Sequence, residues 1–404
     1  MSKVFEIALG IVTSIGGFLE VGSITTAAQA GAEFGFRLTW AIVLGGLCVI
    51  FLVEMAGRFA AISKHTIADA TRERFGFNLF VIPLVTITLV NFLVLAAEIG
   101  GVCIAFEFTT GISFPWWAMP VAFVVWLLLW KGDFGMIEKG VSLLGLVTVV
   151  FVVGAVKLHP SLTEIGAHAL PTLPDHDAPR YWFLAVNILG ASLTPYLFYF
   201  YSSGAIEDQW DESDLNVNRA VAGLGMSFGS VIALAVLVIA ASVFQPRGVQ
   251  VAHYGQLPLM LTQLFGFWGF MLFTASLGIA CFGAAIEISL ATAYFIAQGF
   301  GWNWGENKRP KEAARFSLVY TIVVFLAALV IVIGIDPLKL TNFSMALTAV
   351  TLPLATVPFL VLMNDEHYVK EHHNGWLSNS IVVIIIALSF ILAVVAIPLE
   401  IFGG

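Results

Sequence analysis

The sequence predicts an all-α polytopic membrane protein, and three observations carry that prediction. Charged residues make up only 11% of the 404 residues and apolar residues 59%, whereas a soluble domain carries about 25% charge. The mean hydropathy is +0.94. Apolar stretches of about 20 residues, the length of a membrane-crossing helix, recur from end to end. The stretches are continuous rather than alternating, which excludes a membrane β-barrel. The same composition excludes a soluble enzyme, a disordered chain and a fibrous repeat. A net charge of −8 argues against nucleic acid as a partner. Cys48, Cys103 and Cys281 all fall in apolar stretches with no Cys/His cluster, so neither a disulfide framework nor a thiolate metal site is expected.

Apolar runs between charged or Pro/Gly-rich breaks give eleven spans, near residues 5–31, 39–62, 77–107, 114–131, 138–157, 181–204, 217–244, 258–298, 312–334, 339–363 and 378–401. The first is too long for a signal-peptide core and is read as retained. With the N-terminus in the cytoplasm, only Arg37, Lys157, Arg180, Arg247 and Lys339 of the 18 basic residues fall outside. That bias predicts a multi-pass protein of the plasma (inner) membrane, N-terminus cytoplasmic and C-terminus outside. The acidic loop 207–214 reads as solvated, with a cation-attracting vestibule as the alternative. Loop 160–180 is an outside loop whose His168, His176 and Asp177 lack metal-ligand spacing. Trp116, Trp117, Trp126, Trp130 and Trp182 sit near span ends as interfacial anchors, and Arg58 most simply snorkels.

Two spans are not plain helices. Span 1 carries Gly16, Gly17, Glu20, Gly22 and Ser23; span 6 carries Gly190, Ser192, Thr194 and Pro195. Glycine and proline free backbone carbonyls, which in lipid must find partners or line a cavity. Unwinding is therefore expected at 16–23 and 190–195. The two breaks lie five spans apart, as in inverted repeats that each begin with a broken helix. This divides the single transmembrane domain 1–404 into a first repeat (1–158), a second (181–363) and an additional helix (378–401).

Glu20 lies mid-span, where a charge costs at least about 2.5 kcal/mol, making it a functional candidate; a protonated Glu in a helix contact is the alternative. Ser23 follows on the same helix face. Pro195 cannot donate a hydrogen bond, which leaves the carbonyl near Ala191 free. That carbonyl and the Thr194 hydroxyl would face Glu20 if the broken helices cross at the midplane; back-bonding of Thr194 to its own helix is the alternative. The set is all oxygen, suited to hard cations. Glu54, Glu98 and Glu287 are further buried acids, each either a relay or ligand or an acid hydrogen-bonded to a neighbouring helix. Gly100 and Gly101 after Glu98 permit close packing.

From Gly10 to Arg74 the sequence resembles the start of the Nramp divalent-metal transporter family. Gln29-Ala30-Gly31, Phe34-Gly35-Phe36-Arg37, Arg58 and Arg72-Glu73-Arg74 match its pattern, as do Ala97-Glu98-Ile99, Ile188-Leu189-Gly190-Ala191, Asp336-Pro337 and Leu352-Pro353. The resemblance covers spans 1–10. It implies the LeuT-type inverted-repeat fold (5+5 helices) plus one extra helix, and a divalent-cation substrate; no catalytic triad, metal-hydrolase motif or cofactor loop occurs in the sequence, so neither enzymatic activity nor a cofactor is expected. The departures are specific. The family's Asp-Pro-Gly-Asn is Glu20-Val21-Gly22-Ser23 here, and its Met-Pro-His is Thr194-Pro195-Tyr196. Tyr201 stands for its second span 6 histidine and Leu95 for an acid before Glu98. Span 10 carries Ser344-Met345 for Ser-Gln, and Thr351 for a later Gln.

The resemblance thus implies metal ligands at Glu20, Ser23, Ala191, Thr194 and Thr351, with Glu98 as the remaining proton relay. Loss of the thioether and of the histidines implies a carrier of Mg2+ or Mn2+ with weak or no proton coupling. A transporter of a non-metal solute on the same fold, and a non-transporting membrane sensor, are the alternatives. A monomer in the lipid bilayer is expected, and Met345 is expected to pack.

Overall fold

The computed structural model describes residues 20–131 and 145–403. Every regular element among them is helical. Eight helices are long and apolar enough to cross a membrane: Thr39–Ser63, Phe77–Thr110, Ala178–Glu207 (interrupted within), Glu212–Arg247, Phe267–Gly299, Ala314–Val332, Pro337–Leu362 and Trp376–Val395. They correspond to expected spans 2, 3 and 6–11. Spans 4 and 5 are the shorter apolar helices Pro115–Lys131 and Leu146–Lys157. The described part of span 1 is the helix Val21–Phe34. Among the described residues eight helices are thus long enough to cross a membrane, and expected spans 1 and 5 run into residues outside those described. The stretch 16–19 of the expected first break lies outside the described residues.

Local chemistry sets the ends. Gly111 takes a left-handed φ of 72° and closes span 3, a geometry glycine adopts without a Cβ penalty. Asp336 caps span 10 by accepting from the Leu338 and Lys339 amides at 2.8 and 3.4 Å, with Pro337 at the first helical position.

Burial orders the helices. The apolar window of span 6 is 94% buried, against 22% for span 11; span 6 is the axis of the bundle and span 11 lies at its edge. Span 6 packs on the helix Val21–Phe34, span 2, span 10 and span 11. Where helices meet most closely the sequence supplies glycine. A Cβ on Gly31 would lie 2.3 Å from the Leu237 carbonyl of span 7, and one on Gly190 would lie 2.3 Å from the Met345 carbonyl of span 10. Small residues allow backbones to approach in this way within a membrane. Gly101 gives the same clearance to Cys281 between spans 3 and 8, and Gly100 to Pro337.

Arg58 does not snorkel. It is 8% exposed and pairs with Glu54 at 3.1 Å. It also donates to the His372 carbonyl at 2.7 Å and to Asn374 Oδ1 at 2.9 Å. The carboxylate one turn earlier makes burial of the guanidinium tolerable, so the pair ties span 2 to the loop after span 10. At the opposite end of the bundle, loop 160–180 covers the helix Val21–Phe34. Arg180 makes a two-pronged contact to Glu33 at 3.0 and 2.9 Å, and Arg37 pairs with Asp175 at 2.9 Å. His176 stacks on Phe34 at 4.8 Å.

Gly190→Ala is expected to lower stability by about 1–3 kcal/mol, the usual cost of overpacking, read by thermal unfolding in detergent. Gly204→Ala has open space around it and is expected to leave the melting temperature nearly unchanged.

Candidate functional site

The helix Val21–Phe34 begins inside the bundle with Glu20 as its N-cap, in extended conformation and without a side-chain cap hydrogen bond. Gly22 and Ser23 lie in its first turn rather than in an unwound stretch. The Ser23 amide reaches the Glu20 carbonyl at 3.1 Å, and the Thr26 hydroxyl bonds back to the Gly22 carbonyl at 2.7 Å. The first helical amide, that of Val21, donates to Glu98 Oε1 of span 3 at 2.9 Å. A helix start leaves such donors without an intrahelical acceptor, and here an acid from another span supplies one.

Span 6 breaks more narrowly than expected. One helix runs Ala178–Ser192 and the next Pro195–Glu207, so only Leu193 and Thr194 are non-helical. Ala191 is in the last turn before the break, and Pro195 has no N–H for its carbonyl. Thr194 is 3% exposed and makes no capping hydrogen bond with its side chain. Ser192 instead bonds back to the Ile188 carbonyl at 2.8 Å.

Tyr196, two residues past Thr194, joins the two breaks. Its hydroxyl donates to Glu20 Oε2 at 3.1 Å, while Glu20 Oε1 is buried with no partner among the described residues. Glu98 and Glu287 lie in electrostatic range of the same tyrosine. In the sequence Tyr196 reads only as a lost histidine; a hydroxyl just past the break, opposite an acid, was the available signal. The Glu98 contact to Val21 was likewise missed. Counting the orphan amides of a helix that starts mid-membrane would have asked for such an acceptor.

Span 10 closes the site. Met345 is fully buried, and its sulfur would lie 2.6 Å from a Cβ on Gly22. Its side chain therefore packs on the first turn after Glu20 while its carbonyl lies over Gly190. Thr351 is six residues further on, about 120° around the helix from Met345. Its hydroxyl donates to the Thr348 carbonyl of its own helix at 3.0 Å. Thus Glu20, Ser23, Ala191 and Thr194 sit at or within one turn of the two facing helix ends, and Thr351 lies on another face of span 10 from Met345. Ser23 is buried at 6% exposure. Among the described residues no group of three or more His, Cys, Asp or Glu side chains is arranged to hold a metal ion. Acids of loop 207–214 serve local structure: Asp211 and Asp214 form a capping box, and Glu207 accepts from the Glu306 amide at 3.2 Å.

An all-helical bundle with interrupted helices meeting at its centre is the architecture of a LeuT-type membrane transporter. Solved structures bear this out at the level of fold. The manganese transporter of Eremococcus coleocola superposes with a TM-score of 0.77 at 18% identity, over 98% of this chain and 93% of that one. A nucleobase-cation-symport-1 family transporter in a closed conformation gives 0.64 at 14% identity, over 98% and 90%. A Na+-coupled sialic acid symporter gives 0.61 at 12% identity, over 96% and 89%. The protein belongs to the Nramp family: the natural resistance-associated macrophage protein-like profile matches residues 10–398. It is a divalent-metal transporter.

The Glu98–Val21 contact predicts a stability split. Glu98→Gln keeps an acceptor oxygen and is expected to melt near the parent. Glu98→Leu strands a buried amide and is expected to lose about 1–3 kcal/mol, measured by thermal unfolding.

Proposed function

We propose that the protein carries Mg2+ or Mn2+ across the membrane by alternating access, with Glu20 as the charged ligand. One observation carries the reading: Glu20 is buried at a helix start, held by Tyr196 through one oxygen, with the other oxygen unpartnered among the described residues. A buried carboxylate oxygen of this kind suits a hard cation. The Ala191 carbonyl and the Thr194 and Ser23 hydroxyls are the remaining ligands we assign, and Thr351 joins only if span 10 turns during transport. One carboxylate among neutral oxygens gives no dry six-fold cage. The ion therefore keeps several waters, as Mg2+ prefers. The resemblance to a solved manganese transporter supports Mn2+ as a second substrate.

The same reading places two repeats at 1–158 and 181–363, an added helix at 378–401, the N-terminus in the cytoplasm and the protein as a monomer in the plasma membrane. Glu20→Gln is expected to abolish Mg2+ and Mn2+ uptake into proteoliposomes. Unchanged uptake of both would show that the ion binds elsewhere; no binding of any divalent cation by the parent would favour a non-metal solute.

Two further outcomes follow from the side chains present. Tyr196 and Tyr201 stand where histidines are found in relatives, and a phenol, which holds its proton at neutral pH, is a poor shuttle there. Metal uptake is therefore expected to bring little or no acidification, read with a pH dye inside the liposomes; acidification that tracks uptake would overturn this. Thr194→Met introduces a thioether and is expected to shift preference toward Cd2+. Tight Cd2+ binding by the parent, lost on Met345→Ala, would mean that Met345 is a ligand rather than a packing residue.

A further inference from the structure

One polar side chain of span 6 is left unused by the site just described. Asn187 is fully buried in the helix Ala178–Ser192, yet among the described residues neither its amide nitrogen nor its amide oxygen has a hydrogen-bond partner. A carboxamide offers two donors and two acceptor lone pairs. Buried groups of this kind are nearly always satisfied. None of the described residues satisfies this one.

Its neighbours fix the direction in which it faces. Leu189 and Ser192 border Gly45 of span 2, and Gly190 borders Met345 of span 10. At about 100° per residue, Asn187 lies about 140–160° around the helix from Leu189 and Ser192. It lies only about 60° from Gly190 and about 40° from Ala191. It therefore turns away from span 2, toward the side on which Gly190 meets span 10; the helix Val21–Phe34 and span 11 pack on this helix as well. Ala191 follows four residues later on the same face. Asn187 thus stands about one and a half turns from the break, on the Arg180 side of it.

We propose that Asn187 lines the approach to the Glu20 site and hydrogen-bonds the water shell of the arriving divalent cation. The inference rests on the metal-carrier reading above. The chemistry suits the task. The amide oxygen accepts from metal-bound water and the amide nitrogen donates to a second water. A hydrated Mg2+ is guided without surrendering ligands that it gives up reluctantly. An apolar residue here would leave that shell unsupported.

The test is Mg2+ uptake by the full chain in proteoliposomes, read with an internal fluorescent indicator, for the parent, Asn187→Leu, Asn187→Asp and Glu20→Gln. Asn187→Leu is expected to raise KM about tenfold, the effect of losing one good hydrogen bond, with kcat within twofold. It is also expected to melt no lower than the parent, because a buried unpaired amide has been removed. The near-isosteric Asn187→Asp is expected to lower KM, and it keeps the test open should the leucine variant fail to fold. KM unchanged in the folded Asn187 variants, with uptake abolished by Glu20→Gln, overturns the inference alone. A lowered melting temperature with unchanged KM assigns Asn187 a structural role and likewise overturns it. Uptake that survives Glu20→Gln removes the site reading and this inference with it.

Discussion

A helix that starts in the middle of a membrane has amide groups pointing at nothing, and the low-dielectric surroundings offer no water to meet them. In this protein the first such amide, on Val21, is met by the carboxyl group of Glu98 from span 3. Much else depends on that contact. It allows the helix to begin at Val21, which places Glu20 at the helix terminus instead of within a turn. It also engages Glu98 as a structural acceptor. The other oxygen of Glu98, Oε2, is buried without a hydrogen-bond partner among the described residues, as Glu20 Oε1 is. Tyr196 then holds Glu20 from the other broken span, so a chain of side chains runs from span 3 through the start of the helix Val21–Phe34 to span 6.

The centre is built by backbone proximity as much as by side chains. Met345 is wedged between Gly22 and Gly190, one glycine from each interrupted span, and a larger residue at either would push span 10 outward. A flexible thioether tolerates an irregular gap better than a branched side chain does. The same logic recurs at Gly101, which admits Cys281 beside Glu98.

Most of the architecture was legible in the sequence because long apolar runs have few alternatives in a membrane. The ranges of spans 2, 3, 6, 7 and 10 lie within a few residues of the helices Thr39–Ser63, Phe77–Thr110, Ala178–Glu207, Leu215–Val243 and Pro337–Leu362. The breaks were legible in place but not in extent. Glycine reports permission to unwind, while the actual limits are set by which orphan groups find partners. Gly22 and Ser23 stay helical because Glu98 and the Thr26 hydroxyl engage that turn. Tertiary pairings were not legible: Arg58 reads as a snorkelling cation until Glu54, His372 and Asn374 are seen around it. Thr351 was suggested by alignment to a motif, and helix rotation puts it on another face.

The two-pronged contact between Arg180 and Glu33 has a mechanical consequence. It fastens the far end of the helix Val21–Phe34 to the start of the helix Ala178–Ser192, while Met345, packed against Gly22 and Gly190, couples their near ends. Two short rods joined at both ends behave as a strut and not as independent levers. Bending is then concentrated where the strut stops, at Leu193 and Thr194, so the compliant joint of span 6 coincides with the residues offered to the ion. A change in the occupant of the joint and a change in its angle are therefore one event.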